Sequence, residues 1–240
     1  MKKKANICLI CCRGGSKTIK NKNIKLFAKK PLLYWTIKSA LNSKVFNRII
    51  LSTDSKKIAY YARKFKIEVP GLRPKKLSLS SSNQFDTHNY IFKKLNLNDK
   101  NSLVCILNNN PFINKNYIKK SYDRFKKNNF KGIVTDYSKV SGDYMVWKQC
   151  TKSNDSLKYL FKKSFLKVKL NRQNLNNFFV NIFNLRWGKP SYLENYNSFK
   201  KQLLKNNNKS VELKKIDNFD IDDHEDWFIA QTIFEKRFVK

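Results

Sequence analysis

Ile7-Cys8-Leu9-Ile10-Cys11-Cys12, followed at once by Arg13-Gly14-Gly15-Ser16-Lys17, is a run of six apolar residues that stops at a basic, glycine-containing turn. A strand wet on one face would alternate with polar residues. The absence of alternation predicts a strand covered on both faces, as at the centre of a parallel sheet. Pro31 then opens a helix through about Asn42, with Leu33, Ile37, Ala40 and Leu41 on one face. Arg48–Thr53 reads as a second strand and Ser55–Lys66 as a second helix. A helix around Asn83–Leu95, a buried strand at Leu103–Leu107, a helix at Tyr117–Lys127 and a strand at Gly132–Tyr137 follow. This repetition predicts an α/β fold with a mostly parallel sheet and helices on both faces. Ligands of such sheets bind beyond the carboxyl ends of the strands. The loops after Cys12, Thr53 and Leu107 are therefore the expected site.

Past Ser138 the rhythm weakens. Tyr144–Lys148 and Phe178–Leu185 read as strands separated by a Lys- and Ser-rich stretch, and 138–190 is expected to be a small subdomain inserted into a single domain of residues 1–240. Val211–Ile216 is the next expected strand. His224–Phe238 is a final helix with Trp227, Ala230 and Phe234 inward.

The formal net charge is +34. Such a charge suits a nucleic-acid or anionic-membrane binder. Here the lysines are spread along the whole chain, without an aromatic-interleaved block or a recognisable nucleic-acid-binding signature, so compositional drift is the preferred reading. A positive field still recruits an anionic substrate. The five cysteines are odd in number and irregularly spaced, which argues for a reducing compartment. Cys8 and Cys11 lie three apart on the expected strand and so face opposite sides. Met1-Lys2-Lys3-Lys4 before an apolar stretch has the outline of a signal peptide, but the stretch is short and Arg13-Gly14-Gly15 replaces a cleavage site. A soluble cytoplasmic protein is expected.

Two motifs carry chemistry. In the first, Gly14 and Gly15 allow a tight turn whose N–H groups approach an anion, and Arg13, Lys17 and Lys22 add positive charge suited to a triphosphate. The pattern is neither G-x-x-x-x-G-K nor G-x-G-x-x-G. In the second, Phe219-Asp220-Ile221-Asp222-Asp223, an extended backbone would place Asp220 and Asp222 on one side, a hard oxygen site for Mg²⁺. Asp222 or Asp223 also suits the N-cap of the last helix.

Arg13-Gly14-Gly15-Ser16-Lys17-Thr18-Ile19-Lys20-Asn21-Lys22-Asn23 resembles the R-x-G-S-K-x-[IL]-x-x-K-N opening of the cytidylyltransferases that make CMP-activated sugar acids, the CMP-N-acetylneuraminate, CMP-pseudaminate and CMP-Kdo synthetases. Lys30-Pro31-Leu32-Leu33 is similar to that family's G-K-P-L. Ser52-Thr53-Asp54 with Ile58-Ala59 is similar to its S-T-D-x-x-x-I-A, and Val69-Pro70 with Leu72-Arg73-Pro74 to its P-F-L-R-P. Asp220-Ile221-Asp222-Asp223-His224-Glu225-Asp226-Trp227 is similar to its metal-binding D-I-D-x-x-x-D-W. The resemblance implies a Rossmann-like fold of the nucleotide-diphospho-sugar transferase type, with an inserted dimerisation subdomain and a homodimer. It implies CTP, an acidic sugar and Mg²⁺ as reactants and cofactor. Arg13, Gly14, Gly15, Ser16, Lys17, Lys22, Asn23 and Arg73 would hold the nucleotide, with Arg13, Lys22 and Asp222 catalytic and Asp220 and Asp222 on the metal. Arg172-Gln173-Asn174-Leu175 is similar to R-Q-D-L, so Arg172, Gln173 and Asn181 would face the sugar. Two places depart from the family. Asn108-Asn109-Asn110-Pro111-Phe112 stands where relatives have Q-P-T-S-P or T-A-P-F, and Asn181-Ile182-Phe183 lacks the glycine of N-G or D-x-G. Pro111-Phe112 and Trp187-Gly188-Lys189 lean toward the pseudaminate branch. The competing readings are a degenerate, non-catalytic member, a nucleotide-sugar glycosyltransferase and a nucleic-acid-binding module.

Overall fold

The computed structural model describes residues 4–140, 150–153, 156–159 and 178–239. The strand expected at Tyr144–Lys148, and Arg172 and Gln173, lie outside these residues.

Strand β1 (Ala5–Cys11) pairs in parallel with β4 (Arg48–Ser52) on one side and β5 (Ser102–Leu107) on the other. Ile7 to Ile10 are fully buried, as the unbroken apolar run requires. Cys8 and Ile10 face three helices: α1 (Leu32–Ser43), α2 (Lys56–Arg63) and α4 (Lys115–Lys127). They meet Leu33 and Ile37 of α1, Ile58 and Ala62 of α2, and Ile118 and Phe125 of α4. Ile7 and Leu9 face the other layer, packing with Phe85, Ile91 and Phe92 of α3 (Gln84–Lys94), Leu193 of α5 (Pro190–Leu193) and Phe199 of α6 (Tyr196–Leu203). Each of α2, α3, α4 and α6 starts behind a polar residue whose side chain accepts a first-turn N–H: Ser55, Asn83, Asn114 and Asn195.

The complete sheet runs β10-β6-β9-β5-β1-β4, where β6 is Val134–Val140, β9 Phe178–Gly188 and β10 Lys209–Glu212. β9 is antiparallel to both β5 and β6, while the other neighbours are parallel. Thus the C-terminal part of the 138–190 segment forms a central strand of the main sheet. β7 (Cys150–Ser153) and β8 (Ser156–Tyr159) form a separate antiparallel pair. The strand expected at Val211–Ile216 starts and stops earlier. Lys215–Asp217 is a single 3-10 turn, with Asp217 drawn inward to pair with Arg237 of α7 (His224–Phe238). Two other features were not anticipated. One is the helical pair α5 and α6. The other is a small hairpin, β2 (Leu26–Phe27) with β3 (Lys30–Pro31), whose turn places Ala28 and Lys29 at φ 48° and 65°. As expected, Trp227, Ala230 and Phe234 of α7 are buried, against Phe27 and Phe112. No helix among the described residues is long and apolar enough to cross a membrane.

Between the pairs Thr135↔Arg186 and Tyr137↔Asn181, β6 advances two residues while β9 advances five. The surplus is stitched down by Asp136, whose carboxylate accepts the N–H groups of Asn184 and Leu185 at 3.2 Å each. Burial raises this carboxyl's pKa from 3.8 to about 6, against the opposing effect of those N–H groups and of Arg186. The folded state therefore holds the proton more tightly than the unfolded chain. The associated stability is complete below about pH 4 and is lost as pH rises through 6. Asp136→Asn cannot titrate there. Urea denaturation of the two proteins between pH 4.5 and 7 should show the wild type losing about 2 kcal/mol relative to the variant.

Candidate active site

The Arg13 loop leaves β1 at the carboxyl edge of the sheet and remains tied to β4, since Cys12 N–H donates to Ser52 O at 3.0 Å. Gly14 has a different task from the one its sequence suggests. Its N–H donates to Asp54 Oδ1 at 2.8 Å, so it is already satisfied by the protein. A Cβ on Gly14 would lie 2.8 Å from the Cβ of Ser55, so glycine is needed here for close approach to the start of α2. Gly15 has open space around it. Neither residue adopts a left-handed backbone. Arg13 and Ser16 are half-buried and Lys17 is exposed. The chain then turns through Asn21, at φ 56°, into the 3-10 turn Lys22–Ile24.

Lys22 reaches across to the far end of the sequence. Its ammonium donates to Ile221 O and lies 3.5 Å from Asp222 Oδ1. Asn23 is held at both ends of its amide: Nδ2 donates to Arg13 O at 2.9 Å, and Oδ1 accepts from Asn109 Nδ2 at 2.7 Å. Asn109 in turn accepts the Thr36 hydroxyl at 2.7 Å. Asn110, also in the loop after β5, donates to Phe219 O at 2.8 Å and caps the N–H of Phe112 at 2.9 Å. Asn109 and Asn110 thus tie three loops together, a role that no local pattern of residues announces.

The acidic segment follows the alternation expected of it. Ile221 is buried with Ile19 and Trp227, whereas Asp220 and Asp222 are exposed. Asp223 caps α7, accepting Asp226 N–H at 2.8 Å, and Asp226 Oδ2 accepts the N–H groups of Asp222 (2.9 Å) and Asp223 (3.2 Å). Asp226 is thereby committed to the helix start, leaving the Asp220 and Asp222 carboxylates to face solvent. Partial burial, then repulsion from Asp222, raises the pKa of Asp220, with Lys22 opposing. No cluster of three or more His, Cys, Asp or Glu suited to a metal occurs among the described residues. Two carboxylates completed by substrate phosphates remain a sufficient Mg²⁺ set.

On the other side of Arg13 lies a cavity of about 220 Å³, lined by Cys11, Arg13, Arg73, Ser78, Gln84 and Thr87 among others. Arg73 is 7% exposed, its Nε donating to Ser78 Oγ at 2.9 Å. Burial pushes the Cys11 thiol up to about 11, so it stays neutral. Behind Gln84 is Arg186 of β9, which the sequence reading passed over. A lone arginine between Leu185 and Trp187 in an apolar strand was the available signal.

A cytidylyltransferase family model matches residues 7–209. The chain belongs to the cytidylyltransferase family. It is 30% identical over 178 residues to a pseudaminic acid cytidylyltransferase of Campylobacter jejuni, covering 68% of this chain and 69% of that one. It is 28% identical over 235 residues to an N-acylneuraminate cytidylyltransferase of Escherichia coli, covering 96% of this chain and 52% of the relative. Its fold is also that of a CMP:2-keto-3-deoxy-manno-octonic acid synthetase solved with CTP, at a TM-score of 0.71 and 10% identity over 98% of this chain and 100% of that one.

In this cytidylyltransferase, then, the structure brings Lys22, Asn23 and Asp222 together with Arg13, and places Arg73 on the cavity beside Arg13. Asn181 is exposed on β9 and its Oδ1 accepts the Thr135 hydroxyl at 3.1 Å. In the Asn181-Ile182-Phe183 segment, Phe183 adopts a left-handed backbone, with φ 60°. The two loop glycines separate by substitution. Gly14→Ala should destabilise by about 1–3 kcal/mol through overlap with Ser55, and Gly15→Ala should leave the thermal midpoint within a degree or two of wild type. Scanning calorimetry of both variants checks this.

Proposed function

We propose that this cytidylyltransferase transfers CMP from CTP to a nonulosonic acid, a sialic-acid-like sugar, and releases pyrophosphate with Mg²⁺ bound. The observation that carries the reading is the contact of Lys22 with the Ile221–Asp222 segment, 199 and 200 positions away, beside the Arg13 loop. It joins a cationic loop suited to a polyphosphate to a carboxylate pair suited to a divalent cation. The family match and the names of the relatives support the same reading. Pro111-Phe112 and Trp187-Gly188-Lys189 favour the pseudaminate side of the family.

Arg13, Lys17 and Lys22 would neutralise the triphosphate, and Arg73 and Asn23 would fix the nucleoside end. Asp220 and Asp222 would hold the Mg²⁺, which when bound offsets phosphate charge. The sugar hydroxyl oxygen displaces pyrophosphate from the α-phosphorus, and Arg13 and Lys22 stabilise the charge that builds on the leaving group. Catalysis of this kind is mostly positioning and electrostatic stabilisation. The 138–190 segment would support a homodimer; light scattering that finds only monomer removes that part of the proposal.

Incubation with CTP, Mg²⁺ and a panel of nonulosonic acids, read by mass, should give a CMP-sugar. Arg13→Ala and Asp222→Ala should each lower the rate by ~10²-fold or more. Absence of product with the entire panel, and with Kdo, would sink the enzyme reading. The departures from the family motifs at Asn109-Asn110 and Ile182-Phe183 support a second reading, as a non-catalytic member. CTP binding without turnover of any acid would select it.

A further inference from the structure

Arg186 is 2% exposed, yet no carboxylate among the described residues lies within ion-pairing distance of it. Its Nε has no hydrogen-bond partner. The guanidinium lies 5.8–6.0 Å from the ring centres of Phe85, Phe183 and Phe199, which compensate only part of the cost of burying a cation. Among the described residues its one side-chain hydrogen bond is from NH2 to Gln84 Oε1, at 2.8 Å. Arginine has donors only, so the Gln84 oxygen must point back at Arg186 and its NH₂ group must point away. That NH₂ makes no hydrogen bond to a described residue, and Gln84 lines the cavity shared by Arg13 and Arg73. No acidic residue is among the described residues that line that cavity.

We propose that Arg186 is a positioning residue for the nucleotide: it locks the Gln84 amide so that the cavity presents an N–H₂ donor, beside two guanidinium groups, to an oxygen of the bound nucleotide. The proposal rests on the nucleotide-binding reading above and deepens it. Buried as it is, Arg186 does not touch the ligand. A free glutamine on a surface helix would offer its oxygen or its nitrogen indifferently. Tethered, it offers donors only, so the cavity selects ligands rich in acceptors. The aromatic rings, Phe183 among them, fix the guanidinium in turn.

The test is calorimetric titration of the full chain with CTP alone, so that no sugar need be known. Gln84→Glu keeps the size and gains an ion pair with Arg186, but turns an oxygen toward the cavity. It should weaken CTP binding by about tenfold or more while the thermal midpoint holds or rises. Gln84→Leu and Arg186→Met should each weaken binding by several-fold, and the double variant should bind no worse than the weaker single variant, because both remove one device. Wild-type affinity in both Gln84 variants would overturn the proposal, and these exposed-site variants decide it even where Arg186→Met fails to fold. A lowered midpoint with unchanged CTP affinity in Arg186→Met would assign Arg186 to packing alone, and overturn it equally. Wild-type protein that binds no CTP would instead remove the underlying nucleotide reading.

Discussion

Ile7 to Ile10 have no route to solvent: parallel strands close both edges of β1 and helices close both faces. A strand held in this way can leave the core only at its ends. Parallel pairing also puts the carboxyl ends of β4, β1 and β5 along one edge. The loops headed by Thr53-Asp54, Arg13-Gly14 and Asn108-Asn109 must therefore meet there. Asp54 bonding to Gly14 and Asn109 bonding to Asn23 follow from this enforced proximity. The charged residues of the candidate site are thus gathered on an edge that hydrophobic burial selected.

The loops that meet are held mainly by neutral amides. Asn23, Asn109 and Asn110 each satisfy both ends of the side chain, and Thr36 completes the row. Neutral networks of this kind specify one arrangement without the desolvation cost of buried ion pairs. They leave Arg13, Lys17 and Arg73 to supply the positive field. Glycine is scarce, at six residues, and the backbone uses other residues where turns demand a left-handed conformation, Asn21, Lys29 and Phe183 among them. Asparagine tolerates that region better than lysine or phenylalanine does.

Elements with strong periodicity were legible in the sequence. The β1, β5 and α7 readings came from unbroken apolar runs or from Trp227, Ala230 and Phe234 at helical spacing, and the structure moves their ends by a residue or two at most. Asp223 as a cap and the outward pair Asp220 and Asp222 were legible for the same reason, because alternation about a single apolar Ile221 has only one solution. Long-range partnerships were not legible. Whether Gly14 faced a phosphate or Ser55, and whether Asn109 bonded anything, depended on residues 40 to 90 positions away. β9 was found, but its place in the sheet was not, since an antiparallel strand inserted between parallel ones leaves no periodic trace. The α5 and α6 helices are too short for their stripes to rise above the surrounding polar residues.

That insertion has a consequence for how the chain is assembled. β5 and β6 are consecutive parts of the βα rhythm, yet they are not neighbours; β9 lies between them. Until residue 188 has been synthesised, β5 has a partner only in β1, and its other edge, with all six residues destined for burial, is bare. An apolar strand edge left open is a template for the wrong partner. A ribosome-bound chain ending near residue 140 would therefore carry a nearly complete half-sheet with one adhesive border, and closing that border is a task left to a late segment.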